Sequence, residues 1–176
     1  MKGMTKMEIE VKILEIDKGK IISILENLDA KKKFEGDLQT TYFDYPGMDL
    51  RNSKRLLRIR KKGNNIILTA KETVSRDGIR KSNEYETVVE DFEMMRKILK
   101  TLGFIEYSKD LKHRTSYKIK NSLVEIDERE HVPTWLEVES PNDEELKEIV
   151  VLLGYTMEET STMVTAEVYK KYGVKL

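Results

Sequence analysis

The sequence predicts an α+β protein, a β-sheet with one apolar and one charged face, amphipathic helices packed on the apolar face, and a lumen on the charged face if the sheet closes. Three observations carry this reading. Many segments place a charge at every second position, with apolar residues between, which is the period of a strand with two unlike faces. The charges on these segments are largely sorted by sign, strand by strand. Helical segments with one-sided apolar stripes interrupt the strands and need a surface to cover.

The patterns place strands at about 7–16, 33–45, 55–62, 65–72, 80–90, 104–120, 123–130 and 134–140. Asn64-Asn65, after Gly63, reads as a tight hairpin turn between two of them. Asp17 is placed to cap a helix carrying Ile21, Leu25 and Leu28. Asp91 is placed to cap another with Met95, Ile98, Leu99 and Leu102, stopped by Gly103. A third carries Leu146, Ile149, Val150 and Leu153 and is stopped by Gly154; a last covers about 162–172. A faint repeat links "EYETVVEDFEMMRKILKTLGF" to "WLEVESPNDEELKEIVVLLGY", both running acidic strand, helix, Leu-Gly-aromatic. "EIEVKILEIDKGKIISILENL" is a looser third copy without the glycine.

The 176 residues suggest one domain, residues 1–176, and no linker-like or low-complexity segment marks a boundary. With 32 basic and 32 acidic residues the formal charge is zero, which argues against a general nucleic-acid or membrane-surface binder. The absence of cysteine removes disulfides, thiolate metal sites and a cysteine nucleophile; two separated histidines make a histidine zinc site a poor expectation. The N-terminus lacks a signal-like apolar run and no segment approaches a membrane span, so a cytoplasmic protein, monomer or homodimer, is expected.

The charged faces hold the chemistry. "MEIEVKILE" puts Glu8, Glu10 and Lys12 on one face and Ile9, Val11 and Ile13 on the other. "LLRIRKK" aligns Arg58, Arg60 and Lys62; "ILTAKE" aligns Thr69 and Lys71; "KHRTSYK" aligns Lys112, Arg114 and Lys118. Glu84 and Glu86, then Glu125, Asp127 and Arg129, then Glu137 and Glu139 follow the same period. A wet sheet face usually mixes signs within a strand to make cross-strand pairs. Here four strands are acid-rich and three base-rich. With helices on the apolar face, the charged face of a closed sheet becomes a lumen. Charges cannot be buried there without partners. Basic groups call for a polyanion, and arginine suits bidentate phosphate contact. Carboxylates two residues apart, about 7 Å along a strand, can share a hard divalent cation such as Mg²⁺ or Mn²⁺. Metal, cationic lining and polyphosphate together belong to phosphoryl or nucleotidyl transfer.

These residues resemble a known family. Glu8-x-Glu10-x-Lys12 resembles the ExExK signature of the CYTH domain, the triphosphate tunnel metalloenzymes. "TTYFD", "LRIR", "LTAK", "EYETVVED", "LGF", "KHRTSY", "VEIDE" and "WLEVE" follow in the family's order across nearly the whole chain. The resemblance implies a closed antiparallel eight-stranded β-barrel with amphipathic helices packed outside, a tunnel that binds a triphosphate with a divalent metal, as in class IV adenylyl cyclases, thiamine triphosphatases and tripolyphosphatases. It implies metal-side carboxylates at Glu8, Glu10, Asp127, Glu137 and Glu139. It implies phosphate contacts at Lys12, Arg58, Arg60, Lys71, Arg80 and Arg114, with Glu84 and Glu86 nearby. Thr40 stands where many members have Asp, "LTAKE" replaces a TYKGP-like run, and "HVPTWLEVE" replaces an LGxFxExE-like approach. These departures leave the triphosphate site intact and turn against the cyclase.

The expected function is a metal-dependent triphosphatase acting on tripolyphosphate, thiamine triphosphate or a nucleoside triphosphate, with Mg²⁺ or Mn²⁺. Lys12 would stabilise charge and Glu10 or Glu86 would orient the attacking water. The alternative is an adenylyl cyclase. A non-catalytic polyphosphate binder would keep the bases and lose the carboxylates, which are all present. Trp135 keeps period with Glu137 and Glu139; it stands either at a tunnel mouth, able to stack on a base, or as a structural aromatic. His113 and His131 are expected at packing or surface positions, and Lys31-Lys32-Lys33 in a solvated turn.

Overall fold

The computed structural model describes residues 4–174. Nine strands form: β1 Met4–Ile13, β2 Lys31–Asp44, β3 Arg55–Lys62, β4 Asn65–Ser75, β5 Arg80–Val89, β6 Ile105–Ile119, β7 Ser122–Arg129, β8 Val132–Ser140 and the short β9 Thr160–Ser161. The helices are α1 Lys18–Asn27, α2 Asp49–Asn52, α3 Phe92–Thr101, α4 Asp143–Leu152 and α5 Thr165–Lys171. The strands bond in the order β5-β4-β3-β2-β6-β7-β8-β1, and a β5–β1 pairing closes the eight into an antiparallel barrel, with β9 beside β1. The expected α+β barrel is therefore present. No helix among the described residues is long and apolar enough to cross a membrane.

Two compact units divide the chain. The first holds Asp37–Val74 and Ser82–Leu111 with the start of β1; the second holds Glu8–Gly36, Ser75–Lys81 and the chain from Lys112 onward. In the second unit the alternation of the sequence becomes two faces. Ile9, Val11 and Ile13 of β1, Val124 and Ile126 of β7 and Leu136 and Val138 of β8 form one buried core with Ile21 and Leu25 of α1 and Leu146, Ile149, Val150 and Leu153 of α4. In the first unit, Phe43, Ile59 and Leu99 are the buried centre of a smaller cluster with Leu57, Leu68, Phe92, Met95 and Phe104.

The repeat seen in the sequence is a repeat of helix ends. Asp17, Asp91 and Asn142 each accept the backbone N–H three residues on, at 3.0, 2.9 and 2.8 Å. At the other end, Ala30, Phe104 and Tyr155 donate back to Leu25, Leu99 and Val150 across a left-handed residue. That residue is Gly103 at φ +90° and Gly154 at φ +85°, but Asp29 at φ +54° in α1. The third copy lacks the glycine and bends the same way.

Three local expectations change. The β3–β4 loop is Gly63-Asn64, one residue earlier than expected, because Lys62 pairs with Asn65 and Gly63 takes φ +57°. Lys31–Lys33 are exposed as expected, but they open β2 instead of forming a turn. The sequence pattern also missed α2. Its cause is Asp44, the last residue of "TTYFD", which is buried and accepts the N–H groups of Tyr45, Leu50 and Arg51 at 2.7 to 2.9 Å.

The cap geometry predicts opposite signs for two substitutions. Asp29→Gly relieves a side chain held at positive φ and should raise stability by about 0.5–1 kcal/mol. Gly154→Ala imposes that strain and should lower it by a similar amount. Denaturant midpoints of the two variants check both.

Candidate active site

Four neighbouring strands of the second unit present one charged face. In the β1–β8 ladder, Lys12 lies opposite Glu137 and Glu10 opposite Glu139. In the β7–β8 ladder, Glu125 lies opposite Glu137 and Asp127 opposite Trp135. In the β6–β7 ladder, Arg114 lies opposite Asp127 and Ser116 opposite Glu125. The period of two puts all of these on the face away from α1 and α4. Glu8, Glu10, Lys12, Lys112, Arg114, Glu125, Asp127 and Glu137 are all buried there.

Arg114 is the hub. Its Nε and Nη2 donate to the two oxygens of Asp127 at 2.5 and 2.6 Å, and Nη2 also reaches Glu137 Oε2 at 2.6 Å. Its Nη1 donates to Glu125, which Ser116 also contacts at 2.9 Å. Lys112 Nζ adds a 2.5 Å bond to Asp127. The second hub is Lys12, whose ammonium lies 3.2 Å from Glu10 and 3.0 Å from Glu137. Arg80 also donates to Glu10.

Burial opposes every one of these charges, and the outcome differs by partner. Against that penalty, Asp127, Glu125 and Glu137 hold the Arg114 guanidinium protonated, its pKa raised well above the usual value. Burial would raise Asp127, but Arg114 and Lys112 hold it down at about 2. Burial likewise works against Glu137, whose neighbours Lys12, Lys112 and Arg114 keep it well below the usual carboxylate range. Burial and the adjacent Arg114 push Lys112 well down.

The first unit carries its own cluster. Arg58 Nη2 lies 3.2 Å from Glu84 and 3.7 Å from Glu86, and Lys71 Nζ lies 3.2 Å from Glu84. Thr69 donates to Glu86 at 2.7 Å, and Arg60 Nε to Thr40 at 3.1 Å. Arg58 Nε is buried without a hydrogen-bond partner among the described residues. An orphaned guanidinium donor of this kind suits an incoming oxyanion.

A model of the CYTH domain matches residues 6–162. The chain belongs to the CYTH domain family. A Methanocaldococcus jannaschii protein named "Putative adenylate cyclase" is 33% identical to it over 156 residues, 84% of this chain and 87% of that protein. The PH1012 protein of Pyrococcus horikoshii OT3 is 26% identical, with a TM-score of 0.79 over 92% of this chain and 98% of that one. A Hippeastrum protein, "Putative adenylyl cyclase HpAC1", shares the fold at 16% identity and a TM-score of 0.67, over 96% and 97% of the two chains. CYTH proteins are metal-dependent enzymes, so a divalent cation is implied for this CYTH protein too.

The residues of this CYTH protein fit such a cation in kind. Glu10 and Glu137 come from neighbouring strands and already turn their oxygens on one cation, the Lys12 ammonium. All-oxygen donors suit Mg²⁺ or Mn²⁺. Among the described residues, however, no three carboxylates or imidazoles gather as a metal shell. Asp127 in particular is taken up by Arg114 and Lys112. Glu8 and Glu139 share the face without completing a shell.

Of the residues expected at the site, the structure gathers Glu10, Lys12, Arg80, Arg114, Asp127 and Glu137 in the second unit. In the first unit it gathers Arg58, Lys71 and Glu86 around Glu84, with Arg60 on Thr40. Sequence reasoning gave no role to Lys112, Glu125 or Arg129. The signal was present, since each stands two residues from Arg114 or Asp127 on the same strand face. Trp135 is fully buried with Val132, Val168 and Tyr169, and the Arg129 guanidinium lies 4.2 Å from its ring. It is a packing aromatic, not a free platform. His113 is half-buried and His131 exposed in the β7–β8 turn, as expected.

The depressed Asp127 makes a signed prediction. Its folded pKa, about 2, lies below the unfolded value near 3.9, so its contribution is complete above about pH 4 and is lost as pH falls toward 2. Asp127→Asn should therefore cost roughly 2 kcal/mol or more at pH 7, and the gap from wild type should narrow below pH 4. Denaturant melts from pH 7 to pH 3 measure it, and a gap independent of pH contradicts the assignment.

Proposed function

We infer that this protein is a metal-dependent hydrolase of a triphosphate, releasing orthophosphate. The observation that carries the reading is the buried ionic cluster around Arg114 and Lys12. Well-packed apolar side chains in its place would serve stability as well or better, so stability does not account for it. A site that exchanges its internal ion pairs for a polyanion and a cation does.

A divalent cation, when bound, would neutralise phosphate charge and polarise a phosphoryl oxygen. Glu10 and Glu137, with Glu8, Glu139 and Asp127 of the same face, are the proposed carboxylates for it. Lys12, Arg80 and Arg114 are proposed to hold phosphate oxygens and to stabilise the charge that grows on the leaving diphosphate. Arg58, Arg60 and Lys71 are the proposed phosphate contacts of the first unit, and the unpartnered Nε of Arg58 supports this. Either Glu10 or Glu86 would orient the water. Its oxygen bonds to the terminal phosphorus as the bridging P–O bond breaks, and the carboxylate takes up a proton.

Adenylyl cyclase is the second reading, supported by the name of the Methanocaldococcus jannaschii relative. The enclosure of Trp135, which leaves it no open face for a base, favours hydrolysis. The Hippeastrum protein, described by its structure's authors as having a dominant triphosphatase activity, illustrates that the fold accommodates such a reaction.

Tripolyphosphate, thiamine triphosphate and ATP, each with Mg²⁺ and with Mn²⁺, should separate the readings. Phosphate release supports the hydrolase; cyclic AMP with pyrophosphate supports the cyclase; neither product from any of them overturns both. Glu137→Gln should lose turnover at low metal and recover part of it as Mn²⁺ is raised. Arg58→Ala should weaken substrate binding along with turnover, since a phosphate contact acts in both ground and transition states. In thermal melts, Mg²⁺ should stabilise wild type, and Glu10→Ala should shrink that shift.

A further inference from the structure

We propose that α3 is the contact helix of a homodimer, packed antiparallel against α3 of a second copy on a two-fold axis near Ile98. The argument starts from the internal repeat. Residues 91–104 and 142–155 are the same device: a polar N-cap, a helix, then Leu-Gly-aromatic with a left-handed glycine. Position by position, Ile98 corresponds to Ile149 and Leu102 to Leu153. Ile149 and Leu153 are 0% and 1% exposed, whereas Ile98 and Leu102 are 44% and 63% exposed.

The difference is a missing companion. The core around α4 includes a second amphipathic helix, which contributes Ile21 and Leu25. The cluster around α3 contains strand residues and residues of α3 and its flanks, and no other helix supplies one of its described members. Hence α3 keeps an apolar arc as wide as that of α4 with only part of it covered. Met94, 53% exposed, extends the open part to a line at 94, 98 and 102, one turn apart. Three large apolar side chains in a row on one exposed helix mark a contact surface.

Charge selects the occupant. The N-terminal end of α3 exposes Glu90 and Glu93, and its C-terminal half exposes Lys97 and Lys100. An antiparallel copy sets each acidic end against the basic end of its mate, and opposes the helix dipoles favourably. A two-fold axis at Ile98 places Met94 against Leu102 of the second copy and Ile98 against its own copy, the self-complementary contact of an isologous dimer. The line of three is smaller than the roughly 800 Å² per partner of a standard interface, so the dimer should depend on concentration.

Sedimentation and light scattering across a dilution series test this on the full chain. Wild type should pass from monomer to dimer with rising concentration. Ile98→Glu should weaken the dimer at least about tenfold while the far-UV circular dichroism stays unchanged, since this side chain is outside the core. The chain has no cysteine, so Ile98→Cys provides a single reactive thiol. A short bismaleimide should link it to a dimer, and should not link Val151→Cys, a still more exposed position on α4. Wild type that stays monomeric at every concentration, undiminished dimer in Ile98→Glu, or linkage at Val151 and not at Ile98 would each overturn the proposal.

Discussion

The bidentate contact between Arg114 and Asp127 is the constraint around which the second unit is arranged. Asp127 is completely buried and keeps its charge only because a guanidinium and an ammonium lie within 2.6 Å of it. That contact requires Arg114 and Asp127 to be opposite each other across β6 and β7, so it fixes their register. Register fixes the rest. A slip of one residue would turn Arg114, Asp127 and Glu137 toward the helices and Ile126, Leu136 and Val138 into the charged face. Ion pairing on one side and apolar burial on the other thus demand the same alignment, and this agreement gives the sheet a single solution.

The two sides contribute unequally to stability. Each apolar side chain fully buried under α1 and α4 contributes about 1.5–3 kcal/mol, whereas the net worth of a buried ion pair is near zero once desolvation is counted. The helices on one face therefore maintain a charged face that could not hold itself together. Their ends show how closely they are specified: side-chain caps at the first turn, and a left-handed residue at the last.

Much of this was legible in the sequence. The period of two gave eight of the nine strands, and the sorting of signs by strand pointed to a face that is not simply wet. Sorting did not reveal pairing. Read alone, Glu8 and Glu10 suggest crowded carboxylates repelling one another, yet Lys12 and Arg80 lie against Glu10. Which strands become neighbours is a property of topology, and no local pattern encodes it. The same reason kept the pairing of Lys112 and Glu125 out of view, since their partners Asp127 and Arg114 stand fifteen and eleven residues away on a neighbouring strand. It hid α2 as well, because Asp44 acts on backbone groups six and seven residues ahead, a spacing that matches neither helix nor strand. Trp135 was ambiguous because its period was that of the charged face, while its neighbours Val168 and Tyr169 come from a helix thirty residues later.

The internal repeat adds a last step. Two strand–helix devices with the same caps have different surroundings, and the difference falls on the covered area of one helix. In and just after α4, Leu146, Ile149, Val150 and Leu153 are enclosed and serve the core. In α3 the homologous side chains remain at the surface, although nothing in the local sequence separates the two helices. Sequence pattern determines that a helix will have an apolar arc of a given width; the fold determines how much of it is used. The uncovered part of α3 is therefore an apolar surface that the core of its own unit leaves unused.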